Sequence, residues 1–398
     1  MESQAQETRE LTEKLLAAAF GGPVRLDAGQ TVEGRDYVVR FGVLEGPDGA
    51  PVSVIAKRGR SWGDHYDPDS DDPYNPAWGL FGDWAALQFL SEVVGDAAVA
   101  PQFYGGDRNA GLIAIEDLGS GERPDQLLLR DDPAAAESAL VELAAALGKM
   151  HARTAGRQAE FDRIRNELSR RWPPERDPAA SLARAVHATI DILGLTPPAG
   201  LDAELGIVTH AIREPGPFLA YTHGDPCPDN WLRVDGRLKL LDFERGQFRH
   251  ALLDGVYGRI HFPTCWCVNR SPEHVSLRME AAYRAELVQG CPEVADDTLF
   301  YHAVVEAYAY WAIDMCQWII QREAWYDPPK PMQHDQHWGI ATLRQRALVR
   351  SDILARTTQE FGHLEAIGAT FARMAAKLRT IWPPEADTMP LYPAFRAR

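Results

Sequence analysis

Residues 222–246 read THGDPCPDNWLRVDGRLKLLDFERG and contain two acidic motifs joined by a short hairpin. Asp225 and Asn230 lie five residues apart on a stretch with two prolines, which disfavours a helix because proline lacks the amide N–H. Asp242 follows the predicted strand 237–241, which is rich in leucine. The sequence therefore predicts that three oxygen-bearing side chains lie on loops beside short strands.

These residue types suit the transfer of a phosphoryl group from a nucleoside triphosphate. Mg²⁺ carried by a triphosphate prefers hard oxygen ligands, which the Asn230 amide and the Asp242 carboxylate supply without excess charge. An acceptor hydroxyl must be oriented and must lose its proton, and the carboxylate of Asp225 can accept that proton. The alternative is a pair of acidic turns, because Asp, Pro and Asn are also common in turns.

The motif HGDPCPDN at 223–230, followed by LLDFE at 240–244, closely resembles the signature of the aminoglycoside phosphotransferase and choline kinase superfamily. These proteins are small-molecule kinases with a two-lobed, protein-kinase-like fold. His-Gly in place of the protein-kinase His-Arg, and Glu244 in place of the Gly of D-F-G, favour this group over protein kinases. The resemblance implies the same roles for the three side chains above, namely one catalytic base and two Mg²⁺ ligands.

Further segments resemble the nucleotide-binding part of the same superfamily. VIAK, ending at Lys57, is similar to the third-strand lysine that holds the phosphates, and Asp83 begins a segment similar to the helix whose acidic residue pairs with that lysine. Asp83 is one methylene shorter than the usual Glu, so the pair requires a closer helix or an intervening water. For Lys57 alone, a solvated lysine at a strand end is the alternative. GLIAIEDLG at 111–119 resembles the hinge strand, which implies that adenine bonds the backbone near Glu116 and Leu118.

The patterning predicts an α+β, protein-kinase-like fold with two lobes. One helical segment at 80–94 is accompanied by β-rich segments at 24–28, 36–44, 51–57, 100–106 and 111–116. The sequence therefore predicts a nucleotide-binding lobe at 1–119, with an N-terminal antiparallel sheet, one main helix and a hinge at its end. Beyond it, apolar residues at helical spacing predict a larger, mostly helical catalytic and acceptor-binding lobe at 120–398.

Composition limits the partners and the compartment. The 398 residues carry 41 Lys and Arg against 57 Asp and Glu, a net charge of −16, with no basic stripe, so nucleic acid is not expected as a partner. No run approaches the ~20 apolar residues that span a bilayer, so no membrane partner is expected either. The acidic N-terminus lacks signal-peptide features and predicts a cytoplasmic location, where all five cysteines are expected to be reduced.

Three other segments carry less specific signals. Gly29 and Gly34 flank QTVE, which fits either a phosphate-binding loop or an ordinary hairpin turn. Cys265 and Cys267, separated by one residue, lack the spacing of a zinc site, so buried thiols are expected. Asp254, in ALLDGVYG, resembles the Asp-containing helix that anchors the catalytic loop in the superfamily.

The acceptor is the least defined part of the prediction. Asp314 lies between Trp311 and Trp318 on one predicted helix face, which can hold an ammonium group by charge and cation–π contact, and core packing of the two Trp is the alternative. The acidic loop 67–72 is a candidate lid for a cationic acceptor. The sequence thus predicts an ATP- or GTP-dependent O-phosphotransferase that acts on a small-molecule hydroxyl, with an aminoglycoside or amino alcohol suiting the acidic charge. The alternative function is a nucleotide-binding pseudokinase that presents a partner-binding surface.

Overall fold

The computed structural model describes residues 2–32, 35–59, 65–95, 99–172, 177, 179–266, 268–325 and 340–396. The described strands are β1 (Arg25–Leu26), β2 (Gln30–Val32), β3 (Arg35–Glu45), β4 (Ser53–Arg58), β5 (Phe103–Asp107), β6 (Leu112–Glu116), β7 (Leu219–Thr222), β8 (Trp231–Val234), β9 (Arg237–Leu240) and β10 (Gln247–His250). The described helices are α1 (Glu2–Phe20), α2 (Pro76–Val93), α3 (Pro124–Leu127), α4 (Pro133–Thr154), α5 (Gln158–Leu168), α6 (Leu182–Leu193), α7 (Leu201–Arg213), α8 (Leu252–Gly255), α9 (Glu273–Leu287), α10 (Asp297–Trp325), α11 (Leu343–Phe361) and α12 (Glu365–Arg379). The first third of the chain contains strands β1 to β6 together with α1 and α2, and the remainder is mainly helical, so the predicted α+β class is confirmed.

The chain divides into two compact units. Unit 1 comprises Met1–Glu122, Gly156–Glu175 and Asn230–Gln247, and unit 2 comprises Arg123–Ala155, Arg176–Asp229 and Phe248–Arg398. Unit 1 therefore contains helix α5 and the β8–β9 hairpin in addition to the first third of the chain. The lobe limits 1–119 and 120–398 stay a prediction. Asn230 and Asp242, the predicted Mg²⁺ ligands, flank this hairpin.

An antiparallel sheet forms the centre of unit 1, with strand order β1-β3-β4-β6-β5 and β2 paired with β3. On β4, Lys57 pairs with Val38 of β3 and with Ile113 of β6. One face of the sheet packs on an apolar core that includes Leu16 of α1 and Ala56 of β4. Because successive side chains of a strand point to opposite faces, Lys57 points away from this core.

Helix α2 packs within unit 1 on β5 and α5. It is buried over most of its length, as expected for a helix that is apolar on all sides. The Asn75 side chain accepts the Ala77 N–H, and Pro76 occupies the first helical position, where its missing N–H is not needed. The helix therefore begins at Pro76 rather than at the predicted Leu80.

The segment that follows Gly29 forms strand β2, which pairs with Val39 and Arg40 of β3. Gly29 has a left-handed backbone with φ of 73°, and a Cβ at this position would collide with the Phe41 ring. Glycine is therefore required by the sheet at this turn. The pairing supports the hairpin interpretation of QTVE, while Gly34 lies outside the described residues.

Packed helices build most of unit 2. Helix α4 packs along α9, and both α10 and α12 pack on α11. Gly148 of α4 permits the close approach, because a Cβ there would strike the Tyr283 carbonyl of α9. The predicted helical character of the later part of the chain is confirmed. Over the residues described, none of the helices has both the length and the apolar surface that crossing a bilayer requires.

His250, at the end of β10, is a buried neutral imidazole. Its Nδ1 accepts the Leu252 N–H at 3.2 Å, and its ring stacks on Phe218 with the centroids 4.9 Å apart. Burial, reinforced by the nearby His151, lowers the pKa of His250 to about 3. The folded protein therefore holds this ring uncharged at a pH where an exposed imidazole takes up a proton.

Lowering the pH from 7 to 5 is expected to cost about 2 kcal/mol of stability through His250 alone. In the unfolded chain the ring takes up a proton near pH 6.5, whereas the folded ring stays neutral down to about pH 3. Between these values the folded state binds fewer protons than the unfolded state, so stability falls as the pH falls. Urea unfolding at both pH values measures the effect. The His250→Gln variant should lose about 2 kcal/mol less than the wild type, and equal losses would contradict the prediction.

Candidate active site

Lys57 lies at the centre of an ion-pair cluster in unit 1. Its Nζ is 2.5 Å from Oδ2 of Asp83 on α2 and 3.0 Å from Oδ1 of Asp242. The side chains of Lys57 and Asp83 are buried, with 12% and 3% of their surfaces exposed, and that of Asp242 is half-buried at 27%. The structure thus brings together three of the residues selected from the sequence.

The charge state of Lys57 follows from this cluster. Burial by itself lowers the pKa of a lysine, but the adjacent carboxylates of Asp83 and Asp242 outweigh that effect and raise the pKa of Lys57 above its usual range. The amine is therefore a permanent cation at physiological pH. A fixed positive charge between two carboxylates suits a group that holds phosphate oxygens.

Asp83 also holds the backbone of the D-F-E motif, because its Oδ1 accepts the Phe243 N–H at 2.7 Å. Helix α2 comes very close to this motif at Gly82, where a Cβ would lie 2.6 Å from the Glu244 carbonyl oxygen. The missing side chain at Gly82 lets the helix approach, so the short Asp83 reaches Lys57 without an intervening water. Of the two alternatives for the pair, the structure has the closer helix.

The β8–β9 hairpin brings Asn230 and Asp242 to neighbouring chain ends. Trp231 pairs with Leu240, and the Leu241 N–H donates to the Asn230 carbonyl at 2.8 Å. Asp242 has a left-handed backbone with φ of 60°, which is uncommon for a residue with a side chain and recurs at functional sites. The two predicted metal ligands therefore lie at the two chain ends of the hairpin, which strand pairing and this hydrogen bond bring together.

The chemistry of this pair fits Mg²⁺. Asn230 and Asp242 offer one neutral amide oxygen and one carboxylate, which are hard oxygen donors of the kind that Mg²⁺ binds together with substrate phosphates. The adjacent Lys57 offsets only one of the two carboxylate charges of Asp83 and Asp242. These residues would hold Mg²⁺, and their role as ligands stays a prediction.

The predicted hinge lies at the end of strand β6. The Glu116 carboxylate accepts the Gln102 N–H at 3.0 Å, and Leu118 is buried. Asp117 between them forms a 2.8 Å ion pair with Arg40 of β3, a contact that sequence reasoning missed. An Arg at this position of a strand carries no recognisable motif. Binding of adenine by the hinge backbone stays a prediction.

Asp225 lies on the catalytic-loop segment of unit 2. The buried carboxylate of Asp254 accepts the N–H groups of His223, at 2.6 Å, and of Gly224, at 3.2 Å. Burial alone would raise the pKa of Asp254, but His151, whose Nε2 lies 3.7 Å from Oδ2, and the nearby Arg249 outweigh burial and lower the pKa. Asp254 is thus an ionised anchor for the backbone just before Asp225, in the position that the resemblance implied.

The expectation that all cysteines are reduced is wrong. Cys227 and Cys265 form a disulfide, with their Cα atoms 5.7 Å apart. Cys291 is a buried free thiol, and Cys267 lies outside the described residues. Both disulfide sulfurs lie close to an Asp225 carboxylate oxygen, but sulfurs in a disulfide are not thiolates and do not act as metal ligands. No motif spacing revealed this pair, because the two cysteines lie 38 residues apart.

The candidate acceptor-binding residues differ in their surroundings. Trp311 is a core residue: its indole N–H donates to the Leu253 carbonyl at 2.7 Å, and its ring meets Tyr257 edge to face. Trp318 is 47% exposed, so the two indoles do not share one environment. Core packing, the alternative left open by the sequence, therefore applies to Trp311.

The acidic loop 67–72 forms contacts with an arginine elsewhere in unit 1. Arg108 forms a 2.7 Å ion pair with Asp69 and donates to the Pro68 carbonyl at 2.8 Å. The loop's own carboxylates also stabilise its turns: Asp67 accepts the Asp69 N–H, and Asp72 accepts the Tyr74 N–H. Much of its acidic charge is therefore already engaged within unit 1, and its role as a lid stays a prediction.

Comparisons with known proteins concern the family and the fold. The profile of the phosphotransferase enzyme family matches residues 60–290, more than half of the chain. Comparison with curated proteins gives no significant match. Similar solved structures include a choline/ethanolamine kinase family protein from Mesorhizobium loti, with 16% identity, a TM-score of 0.43 and coverage of 92% of this chain and 99% of that one. They also include a choline kinase from Streptococcus pneumoniae, with 11% identity, a TM-score of 0.42 and coverage of 88% and 99%. A macrolide 2'-phosphotransferase from Brachybacterium faecium has 17% identity, a TM-score of 0.39 and coverage of 80% and 99%.

Proposed function

Because the chain belongs to the phosphotransferase enzyme family and is a small-molecule kinase, we propose that it transfers the γ-phosphoryl group of ATP or GTP to a hydroxyl of a small cationic molecule. The observation that supports this proposal best is the buried contact of Lys57 with both Asp83 and Asp242. This cluster joins the predicted phosphate-binding lysine to the predicted metal-binding motif. The family match also confirms the superfamily resemblance of the two motifs.

Each selected residue has a role in the proposed reaction. The Lys57 ammonium binds phosphate oxygens of the nucleotide, and Asp83 keeps that amine in place. Asn230 and Asp242 would hold Mg²⁺, and the bound ion supplies charge neutralisation at the phosphates. Asp225 orients the acceptor hydroxyl and takes its proton as the new O–P bond forms.

The acceptor class is inferred from charge. A net charge of −16 favours the approach of a cation over that of an anion. An aminoglycoside or an amino alcohol combines an ammonium group with hydroxyls that can accept phosphate. Both are therefore the acceptors to test first, with a neutral sugar and an amino acid as comparison compounds.

The experiment is a transfer assay with the purified chain. The protein is incubated with Mg²⁺ and ATP or GTP, and with each acceptor separately, and the products are identified by mass spectrometry. The expected result is a phosphorylated amine-bearing acceptor formed in a one-to-one ratio with nucleoside diphosphate. Nucleotide binding without transfer to any acceptor would instead support the pseudokinase. Direct contact of Asp83 with Lys57 argues against that alternative, because the shorter acid still reaches the lysine.

A further inference from the structure

The Asp225 carboxylate is contacted by two groups that the assigned roles leave unused. Its Oδ1 accepts the hydroxyl proton of Thr264 and lies 2.9 Å from Sγ of Cys227. Thr264 directly precedes Cys265, the partner of Cys227 in the disulfide. The covalent link and the hydrogen bond thus join the same two segments of unit 2, the catalytic loop and residues 264–265.

The number of protons that each group carries fixes the direction of the hydrogen bond to Asp225. An ionised carboxylate only accepts, so Thr264 uses its single proton on Asp225. The Tyr257 hydroxyl donates its one proton to the Gly224 carbonyl at 3.1 Å and also lies 3.1 Å from the Thr264 oxygen. Burial raises the pKa of Tyr257, so its hydroxyl keeps this proton. With Cys227 oxidised and unable to donate, Thr264 is the side-chain hydroxyl that fixes Oδ1.

The segment that carries Thr264 is also held from its other side. Arg346 of α11 is buried and donates to the carbonyls of Cys265, at 2.9 Å, and Trp266, at 2.8 Å. Just upstream, His261 and Phe262 have left-handed backbones with φ of 56° and 47°. Two such residues in a row persist only where the surroundings impose them. The segment is therefore constrained at its backbone, at its disulfide and at its threonine.

We propose that Thr264 is a positioning residue for Asp225 and that the Cys227–Cys265 disulfide keeps the Thr264 hydroxyl at that carboxylate. The proposal deepens the proposed function and rests on it. The hydrogen bond to Oδ1 restrains rotation of the carboxylate about its Cβ–Cγ bond and so fixes the direction in which the base faces an acceptor hydroxyl. Without that donor the base samples unproductive orientations, which lowers the turnover number rather than the affinity for either substrate.

The disulfide makes this positioning sensitive to reductants. A dithiol reductant delivers two electrons and two protons, the Cys227–Cys265 bond breaks, and the reductant becomes oxidised. The Cys227 thiol then becomes a donor beside Asp225 and competes with Thr264 for Oδ1. Reduction therefore releases the tether and disturbs the same hydrogen bond.

The test compares Thr264→Val and Thr264→Ser with the wild type in the phosphate-transfer assay. We expect Thr264→Val to lower kcat about 10- to 100-fold with little change in KM for nucleotide or acceptor, because the lost bond is to a charged group. Thr264→Ser restores the hydroxyl and should restore most of kcat. Thr189→Val is the matched control: it removes a buried hydroxyl, bonded to the Ala185 carbonyl within α6, and should leave kcat unchanged.

The role of the disulfide, the second half of the proposal, is tested by adding a dithiol reductant and, separately, by the double variant Cys227→Ala and Cys265→Ala. Both should lower kcat about 3- to 10-fold, less than Thr264→Val, because Arg346 still holds the segment. Peptide mapping of the oxidised protein should show the Cys227–Cys265 link, and its absence would overturn this half. If the wild type transfers phosphate and Thr264→Val has an unchanged kcat, the positioning role of Thr264 is overturned while the proposed function stands. No transfer by the wild type to any acceptor would refute the proposed function, and this inference with it.

Discussion

Asp225→Asn is expected to lower kcat by about 10³-fold while leaving nucleotide affinity nearly unchanged. The substitution keeps the shape of the side chain and an oxygen that can accept the Thr264 proton. What it removes is the basic carboxylate that takes the proton of the acceptor hydroxyl. The nucleotide is assigned to Lys57 and the residues around it, so its binding should persist. Initial rates at saturating substrates give kcat, and calorimetric titration with nucleotide gives the affinity.

Asp229→Asn supplies the matched control for that experiment. Asp229 lies on the same loop, and its carboxylate accepts the indole N–H of Trp266 at 2.9 Å. An Asn at this position can still accept that bond, so the loss of activity should stay below about tenfold. If Asp225→Asn and Asp229→Asn behaved alike, Asp225 would not be the base.

Asp242→Asn is expected to reduce kcat/KM by about 10²- to 10³-fold and to raise the Mg²⁺ concentration needed for half-maximal rate. The change removes the one charged ligand of the predicted metal pair and one of the two carboxylates on Lys57. Lys57 keeps its contact with Asp83, so the fold of unit 1 should survive. Rates measured across a series of Mg²⁺ concentrations separate weaker metal binding from a folding defect.

Asp235→Asn is the corresponding control. Asp235 is exposed in the turn of the β8–β9 hairpin and, like Asp242, has a left-handed backbone, with φ of 49°. Asn tolerates that conformation as well as Asp does, so this variant should keep full activity and the wild-type Mg²⁺ requirement. An unchanged Mg²⁺ requirement in Asp242→Asn would remove Asp242 from the metal site.

Much of the fold follows from local pattern, because a strand or a helix is a short-range response to periodicity. The strands on either side of Lys57 and the β8–β9 hairpin lie close to their predicted limits. The start of α2 was misplaced because capping by Asn75 lies outside the apolar repeat. The sequence pattern does not reveal the short strand β2, since its existence depends on pairing with β3 rather than on its own composition.

The site could be predicted where its residues belong to a sequence motif. It could not be predicted where residues meet only in three dimensions. Lys57, Asp83 and Asp242 were selected from resemblance, and the structure brings them into contact. Thr264 and the disulfide of Cys227 were missed, because a threonine and a cysteine 38 residues along the chain form no recognisable pattern. The only hint was the position of Cys227 between Asp225 and Asn230, which by itself does not indicate a partner.

The span of the Lys57 cluster along the chain has a consequence for biosynthesis. Lys57 and Asp242 are 185 residues apart, and translation at about 5 to 20 residues per second delivers the second only about 10 to 40 s after the first. During that interval Lys57 is paired with Asp83 alone and lacks its second carboxylate partner. Unit 1 cannot be completed on the ribosome before Gln247 has left the exit tunnel. A fragment that stops at Gly119 therefore lacks part of unit 1, and split or truncated forms of this enzyme must retain the β8–β9 hairpin to complete that unit.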